Sequence, residues 1–155
     1  SNDYATTAEV IAEVLSSYER IGMKFQTVCC IYPTAPFVTS GAIKTAMMLL
    51  EQEKADSVIP VVKFSFPPQR GVVINDGRIV PKWPENMAKR SQDLEPLYHD
   101  CGQFYCLNVE RFMQQRAIWM EHVVPLLQDE RYVQDIDTLE DWHIAEMKYK
   151  LMKGV

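Results

Sequence analysis

Two aspartates near the end of the sequence, Asp135 and Asp137, have the residue type and the spacing of a divalent-cation site. The segment 132–142 reads YVQDIDTLEDW, which predicts a short buried strand that runs into a helix. Side chains alternate along a strand, so both carboxylates are expected on one side, with Cα atoms about 6.5 to 7 Å apart. Mg²⁺ uses one or two carboxylates and leaves its other positions to water and phosphate. The pair therefore predicts a Mg²⁺ site, with helix capping by Asp137 or Thr138 as the alternative.

Three further stretches of the sequence could place polar side chains near the aspartates. Residues 29–37 (CCIYPTAPF) predict a hydrophobic strand that enters a stiff, proline-rich loop, and residues 90–105 (RSQDLEPLYHDCGQFY) predict a polar loop that enters another strand. A double proline precedes a Gln-Arg pair at 67–70. The order and spacing of these stretches and of the final DIDTLEDW run resemble the CMP-sialic acid synthetase (acylneuraminate cytidylyltransferase) family, especially its pseudaminic acid cytidylyltransferases. The resemblance covers nearly the whole chain.

The resemblance implies transfer of CMP from CTP to the anomeric hydroxyl of a nine-carbon acid sugar (a nonulosonic acid), with release of pyrophosphate. Asp137 and Asp135 would act as catalytic, Mg²⁺-binding residues. Arg90 would clamp the sugar carboxylate, because a guanidinium can bind a carboxylate through two parallel hydrogen bonds. The alternative for Arg90 is an exposed loop arginine. The other residues that the resemblance places against the substrates are Pro33, Thr34, Ala35, Gln69, Arg70, Gln92, Asp93, Tyr98, His99, Asp100, Gln103 and Tyr105.

The strand motif at 101–105 bears on the identity of the acid sugar. Sialic acid enzymes of the family resemble one another in an Asn-Gly-x-x-Tyr strand, whereas this sequence reads Cys-Gly-Gln-Phe-Tyr. The missing asparagine amide removes a hydrogen-bonding group from the sugar pocket and favours pseudaminic acid, with N-acetylneuraminic acid as the alternative. The sequence also leaves open a nucleotide-sugar glycosyltransferase, which likewise uses an acidic pair with a metal ion, and a non-catalytic module that dimerises or binds the sugar.

The family begins with a strand and a loop rich in Gly, Ser, Lys and Arg that grips the phosphates and the cytosine of CTP. This sequence shows no such loop, and its first glycine is Gly22. We therefore expect the 155 residues to be the C-terminal two-thirds or so of a longer enzyme. Phosphate positioning supplies most of the catalysis in such transfers, so we expect the chain alone to be inactive.

Composition limits the classes of partner. The net charge of −5 argues against nucleic acid, and no apolar run approaches the roughly 18 residues of a membrane span. Residues 61–90 hold six basic residues against two acidic ones, a balance of +4 that suits anionic substrates or a solvated surface. The four cysteines lack the spacing of a zinc site and are expected to be reduced thiols in a cytoplasmic protein.

Alternating strand and helix patterns predict one α/β domain, 1–155, with a mostly parallel sheet and helices on both faces. The resemblance implies the three-layer, Rossmann-like sheet of nucleotidyltransferases, truncated at its N-terminal side. An Asn-Asp-Gly turn at 75–77 predicts a hairpin. Residues 63–100 resemble the dimer-forming excursion of the family, which implies a homodimer. Strands are expected at 27–32, 57–65 and 102–107, a short strand or extended segment at 122–127, and helices after the caps Thr6, Thr39, Asn108 and Thr138.

Overall fold

The computed structural model describes residues 6–154, so the predicted domain 1–155 includes residues 1–5 and 155 that lie outside the described part. The helices begin at the predicted caps. Thr6 accepts a hydrogen bond from the backbone N–H of Glu9, and the Glu9 carboxylate accepts one from the Thr6 N–H, so the first helix starts with a reciprocal capping box. The described helices are α1 (Thr7–Arg20), α2 (Ser40–Gln52), α3 (Val109–Gln115) and α4 (Leu139–Lys153).

The strands form one main sheet and one separate hairpin. In the main sheet, the strand at 104–108 lies between the strands at 27–31 and 57–63 and is antiparallel to both, whereas the strand at 123–127 pairs in parallel with the strand at 57–63. The strands are β1 (Thr27–Ile31), β2 (Ser57–Lys63), β3 (Val72–Asn75), β4 (Arg78–Pro81), β5 (Tyr98–Asp100), β6 (Phe104–Asn108) and β7 (Val123–Leu127). Across the main sheet, β6 lies between β1 and β2, and β5 pairs with β2 on the same edge as β6. β7 pairs with the other edge of β2.

The prediction of a mostly parallel sheet is wrong. β1 and β2 run in the same direction, but β6 separates them and is antiparallel to each. The chain reverses direction in the excursion that follows β2, so that β5 and β6 return along β2 the opposite way. Four of the five residues of β6 are buried, and such a continuous apolar run is typical of parallel strands. The alternation of elements therefore gave no sign of an inserted antiparallel strand.

The strand predicted around residues 132–137 is also wrong. β7 occupies the sheet position beside β2, in register from Ser57↔Val123 to Val61↔Leu127. The chain then leaves the sheet and turns through a short 3₁₀ helix, Glu130–Tyr132. Residues 133–138 follow as an irregular segment that ends at the α4 cap. The two aspartates therefore lie on a connection between elements rather than on a strand.

Both faces of the main sheet are covered, which gives the three expected layers. On one face, Ile59 and Leu107 pack with side chains from α1 and α3. On the other face, Val58 and Cys106 pack with side chains from α2. Neighbouring residues of β2 thus face opposite layers, as the alternation of a strand requires.

The returning chain is interrupted between β5 and β6. β5 pairs with β2 through Val61↔Asp100, whereas β6 pairs with it only at Ser57 and Val58 and otherwise follows β1. Gly102 lies in this break with a φ of +61°, a left-handed conformation that favours glycine. The break separates β5 from β6 beside the end of β1 and opens the space described below.

The predicted hairpin at 75–77 is confirmed. β3 and β4 pair in antiparallel register from Val72↔Pro81 to Asn75↔Arg78, around a turn in which Asp76 and Gly77 both have positive φ. Most of its apolar side chains are exposed, since every residue of β3 and all but the last of β4 are solvent-accessible.

Among the described residues, no helix is both long and apolar enough to cross a membrane.

Candidate active site

A cavity of about 380 Å³ opens where β1 ends and where the chain breaks between β5 and β6. Three segments build it: the loop that follows β1, the break itself with the start of β6, and the irregular segment before α4. The end of a strand in an open α/β sheet is a common place for a ligand site. The lining residues are Tyr32, Thr34, Asp100, Gly102, Tyr105, Asp135 and Asp137.

Asp135 and Asp137 both line this cavity. The Asp135 side chain lies against the glycine of the break, since a Cβ added to Gly102 would stand 3.0 Å from Asp135 Oδ2 and 3.2 Å from Asp135 Cγ. Burial raises the pKa of the Asp135 carboxyl, and the negative charge of Asp137 raises it further. Asp100 is a third carboxylate in the lining, so the cavity holds three acidic groups that a bound cation would stabilise.

The donor set fits Mg²⁺ held by few protein ligands. Within residues 6–154, no cluster of three or more His, Cys, Asp or Glu side chains is arranged to hold a metal ion. Mg²⁺ commonly uses only one or two carboxylates and takes its remaining oxygens from water and from substrate phosphates. Asp135 and Asp137 supply two hard oxygen ligands in an open, polar cavity, so they would be the residues that hold the ion.

Asp100 is held firmly beside the acidic pair. The Tyr105 hydroxyl donates a hydrogen bond of 2.5 Å to Asp100 Oδ2, and the Gly102 N–H donates one of 2.9 Å to Oδ1. Burial raises the pKa of Tyr105, and the hydrogen bond to Asp100 raises it further, so Tyr105 remains a hydroxyl donor at neutral pH. Tyr32 packs edge-on against the Tyr105 ring, and its hydroxyl is 2.8 Å from Thr7 Oγ1. Asp100, Tyr105 and Tyr32 are thus joined by a hydrogen bond and ring packing on the side of the cavity formed by the break.

Two side chains from outside the cavity hold the segment that carries the aspartates. Gln103 is buried, and its amide Nε2 donates a 2.6 Å hydrogen bond to the Tyr132 carbonyl. Lys148, on α4, donates from Nζ to the Val133 carbonyl at 2.6 Å and to the Glu130 carbonyl at 3.3 Å. These bonds fix the chain just before Asp135.

The start of α4 fixes the same segment from the other side, and Thr138 rather than Asp137 is its cap. The Thr138 hydroxyl accepts from the Asp141 N–H at 3.2 Å, and Asp141 Oδ2 accepts from the Thr138 N–H at 2.9 Å. Hydrogen bonds from Thr138 lower the pKa of Asp141. Asp141 therefore has the structural role expected of a capping box, and Asp137 is left to face the cavity.

The predicted substrate residues of the excursion form a separate group. Arg90 makes a two-pronged ion pair with Asp93, with Nε to Oδ2 at 2.8 Å and Nη2 to Oδ1 at 3.1 Å. The Gln69 amide donates to the Glu95 carbonyl at 2.8 Å, while its Oε1 is buried with no hydrogen-bond partner among the described residues. Arg70 contacts Ser91 at 3.3 Å, and Gln92 lines a second cavity of about 200 Å³.

Four further predicted residues, Pro33, Ala35, Tyr98 and His99, are not in the lining of the first cavity. Pro33 and Ala35 flank Thr34 in the loop after β1. Tyr98 and His99 lie on β5 and are exposed; the His99 ring packs on Phe64, and its Nδ1 is 2.9 Å from the Asp100 carbonyl. The structure thus brings together Thr34, Asp100, Tyr105, Asp135 and Asp137 of the predicted set.

Sequence reasoning missed three residues that shape this cavity: Tyr32, Gly102 and Lys148. Tyr32 lies within the motif at 29–37 and Gly102 within the motif at 90–105, so the predicted site residues beside them could have indicated both. Lys148 offered no signal, because a lysine on the polar side of a helix is ordinarily solvated.

Comparison with known proteins identifies relatives of the chain. No protein-family model matches it. The chain is 30% identical over 152 residues to a pseudaminic acid cytidylyltransferase of Campylobacter jejuni subsp. jejuni serotype O:2, covering 97% of the chain and 66% of that protein. It is 24% identical over 143 residues to an N-acylneuraminate cytidylyltransferase of Streptococcus agalactiae serotype V, covering 92% of the chain and 34% of that protein.

The fold also has a counterpart of known structure. CMP:2-keto-3-deoxy-manno-octonic acid synthetase, solved in complex with CTP, matches 99% of the chain and 70% of its own length, with a TM-score of 0.56 and 10% sequence identity. That likeness shows a shared α/β nucleotidyltransferase fold. The chain spans about two-thirds of the Campylobacter relative, 66% of its length. On the sequence similarity to these cytidylyltransferases, the chain belongs to the CMP-sialic acid synthetase (acylneuraminate cytidylyltransferase) family.

Proposed function

We propose that this chain is part of an enzyme that transfers CMP from CTP to the anomeric hydroxyl of a nonulosonic acid and releases pyrophosphate. One observation carries the proposal: in a member of this family, Asp135 and Asp137 line one cavity together with the hydrogen-bonded pair Asp100 and Tyr105. The hydroxyl oxygen would attack the α-phosphorus, lose its proton and displace pyrophosphate. Such a transfer requires alignment and charge neutralisation more than a protein nucleophile.

Charge explains what the residues of the cavity would do. Both substrates are anions, so a cavity lined by the carboxylates of Asp100, Asp135 and Asp137 would repel them unless a cation lies between. Bound Mg²⁺ would supply that neutralisation and polarise phosphate oxygens. The chain's part is to hold Asp135 and Asp137 in place through Lys148 and Gln103. Tyr105 would hold Asp100 at the wall, where it can accept hydrogen bonds from sugar hydroxyls.

Pseudaminic acid is the acid sugar that we favour. The identity to the pseudaminic acid enzyme, 30%, exceeds the 24% to the N-acylneuraminate enzyme. The break between β5 and β6 carries Cys101 and Gly102 where sialic acid enzymes resemble one another in Asn-Gly. Cys101 is buried, at 2% exposure, so this position presents no polar group to the cavity. CMP-N-acetylneuraminate synthesis is the alternative.

The excursion would act in a homodimer. Its candidate carboxylate clamp, Arg90, is paired with Asp93 and highly exposed, with 72% of its side chain accessible. A surface ion pair of this kind contributes little to stability and can exchange its partner for a substrate carboxylate. The exposed apolar side chains of the β3–β4 hairpin suit burial against a second copy. We propose that the excursion approaches the cavity of the partner subunit and that the enzyme works in the cytoplasm, where CTP is available.

A pyrophosphate-release assay tests the reaction. The chain, preceded by an N-terminal nucleotide-binding segment of the family, is incubated with CTP, Mg²⁺ and pseudaminic acid, and in parallel with N-acetylneuraminic acid. The proposal expects pyrophosphate and a CMP-sugar, with the higher kcat/KM for pseudaminic acid. No pyrophosphate with any nonulosonic acid would contradict it, and consumption of a nucleotide sugar without pyrophosphate would favour a glycosyltransferase.

The chain without such a segment serves as a second test. We expect it to be inactive with CTP, because binding and positioning the triphosphate is the largest part of catalysis in such transfers. Calorimetry with the sugar alone then asks whether the chain is a sugar-binding module. Binding without turnover in either form would favour the non-catalytic alternative.

A further inference from the structure

Two cysteines face each other across the sheet. β1 and β6 pair in antiparallel register, and Cys29 stands directly opposite Cys106. Both side chains lie on the face covered by α2, where Cys106 is fully buried and Cys29 is half-buried. All four cysteines of the described chain are free thiols.

The hydrogen-bond pattern places Cys29 and Cys106 in the narrow kind of cross-strand pair. The Tyr32 N–H donates to the Gln103 carbonyl at 2.9 Å, and the Val109 N–H donates to the Gln26 carbonyl at 2.9 Å. Both 32/103 and 26/109 are therefore hydrogen-bonded pairs, and hydrogen-bonded and non-hydrogen-bonded pairs alternate along an antiparallel ladder. The pair 29/106 is three residues away from each of them, so it is non-hydrogen-bonded. Such pairs have Cα atoms about 4.5 Å apart, which falls within the range of about 4.4 to 6.8 Å found for disulfides.

The two thiols are also chemically unequal. A hydrogen bond from the Cys106 thiol lowers the pKa of Cys29, and the same contact raises the pKa of Cys106. The other two cysteines differ from them: Cys30 points to the opposite face and is paired with Tyr105, and burial raises the pKa of Cys101 to about 12. A thiolate is the attacking species in disulfide exchange, so Cys29 is the thiol that reacts first.

We infer that Cys29 and Cys106 form a modification site that closes reversibly to a cross-strand disulfide on reaction with low-molecular-weight disulfides. In the first step, the Cys29 thiolate attacks such a disulfide, forms a mixed disulfide and releases one small thiolate. In the second step, Cys106 loses its proton and attacks the Cys29 sulfur, and the second small thiol leaves. The two cysteines are oxidised by two electrons, and the small disulfide is reduced to two thiols. This inference does not depend on the proposed function.

The link would join the two strands that border the cavity. β1 leads directly to Tyr32, and β6 begins directly after the break that holds Gly102. A bond between Cys29 and Cys106 would add a covalent link to the hydrogen-bonded ladder that already joins these two strands.

Thiol counting after oxidation tests the inference. The chain is incubated under native conditions with excess oxidised glutathione, blocked with maleimide in denaturant and analysed by mass spectrometry before and after proteolysis. We expect the number of reactive thiols to fall from four to two, a peptide cross-link between Cys29 and Cys106, and full recovery with dithiothreitol. Four remaining thiols, or a link that involves Cys30 or Cys101, would overturn the inference.

Single substitutions identify the order of the steps. Cys106→Ala should trap glutathione on Cys29 as a mixed disulfide, because the resolving thiol is gone. Cys30→Ser is the matched control on the opposite face of the same strand and should form the link as the wild type does. Absence of glutathione from Cys106→Ala, or loss of the link in Cys30→Ser, would contradict the assignment.

Discussion

The contact between Gly102 and Asp135 provides a sharp test of how the acidic pair is positioned. Gly102→Ala adds one methyl group at a φ of +61°, which costs an L-residue about 1 to 2 kcal/mol. In a chain of this size, that cost lowers Tm by about 2 to 8 °C. The new Cβ would also stand 3.0 Å from Asp135 Oδ2, so the carboxylate must retreat by a few tenths of an ångström.

A matched control separates these two effects. Gly22 also has a positive φ, +83°, but a Cβ there meets no other described atom within 4 Å. Gly22→Ala should therefore show the same backbone cost without disturbing a carboxylate. A substitution that disturbs the surroundings of a metal ligand typically weakens metal binding about 10- to 100-fold. We expect a loss in that range for Gly102→Ala and unchanged metal binding for Gly22→Ala.

The two variants are compared in two assays. Urea unfolding gives the free energy of unfolding, and titration with paramagnetic Mn²⁺, which accepts the same oxygen ligands as Mg²⁺, gives the metal affinity. The reasoning is refuted if Gly102→Ala binds Mn²⁺ as tightly as the wild type, or if Gly22→Ala weakens binding to the same extent.

Three other predictions concern the same segment. Asp137→Asn should abolish pyrophosphate release by the extended protein with Tm nearly unchanged; a large loss of folding stability would instead mean a structural role. Because the folded state raises the pKa of Asp135, the stability that its protonated form contributes is present below pH 3.8 and is lost as the pH rises through the folded-state pKa. Asp135→Asn should therefore be more stable than the wild type at pH 7 and should lose that advantage in acid. Thermal melts across this pH range would measure the difference. Lys148→Met removes a charged hydrogen-bond donor from two carbonyls and should lower the free energy of unfolding by about 1.5 to 3 kcal/mol and weaken Mn²⁺ binding, whereas Lys150→Met on the same helix should change neither.

Local signals allowed much of the fold to be predicted. The caps at Thr6, Thr39, Asn108 and Thr138 are confirmed, because a cap depends on residues within one helical turn. The hairpin at 75–77 is confirmed for the same reason. The direction of β6 could not be read from the sequence, since a strand buried on both faces has the same pattern in either orientation.

The candidate site shows the same division between local and distant information. Asp135 and Asp137 were predicted on a strand, yet they lie on an irregular segment and still line one cavity. What positions them is distant in sequence: the glycine break at Gly102, the Gln103 amide and the Lys148 ammonium. No spacing rule connects these residues, because the contacts of Gly102 and Gln103 exist only once β6 has entered the sheet, and that of Lys148 only once α4 packs against the segment before it.

Anomalous diffraction would test most directly whether the acidic pair holds a divalent cation beneath the nucleotide. Crystals of the chain with a family N-terminal segment would be grown with CTP and Mn²⁺ and measured at the manganese edge. We predict a manganese peak coordinated by carboxylate oxygens of both Asp135 and Asp137 and by phosphate oxygens of CTP. A peak elsewhere, or the two carboxylates turned away from a bound triphosphate, would contradict the account.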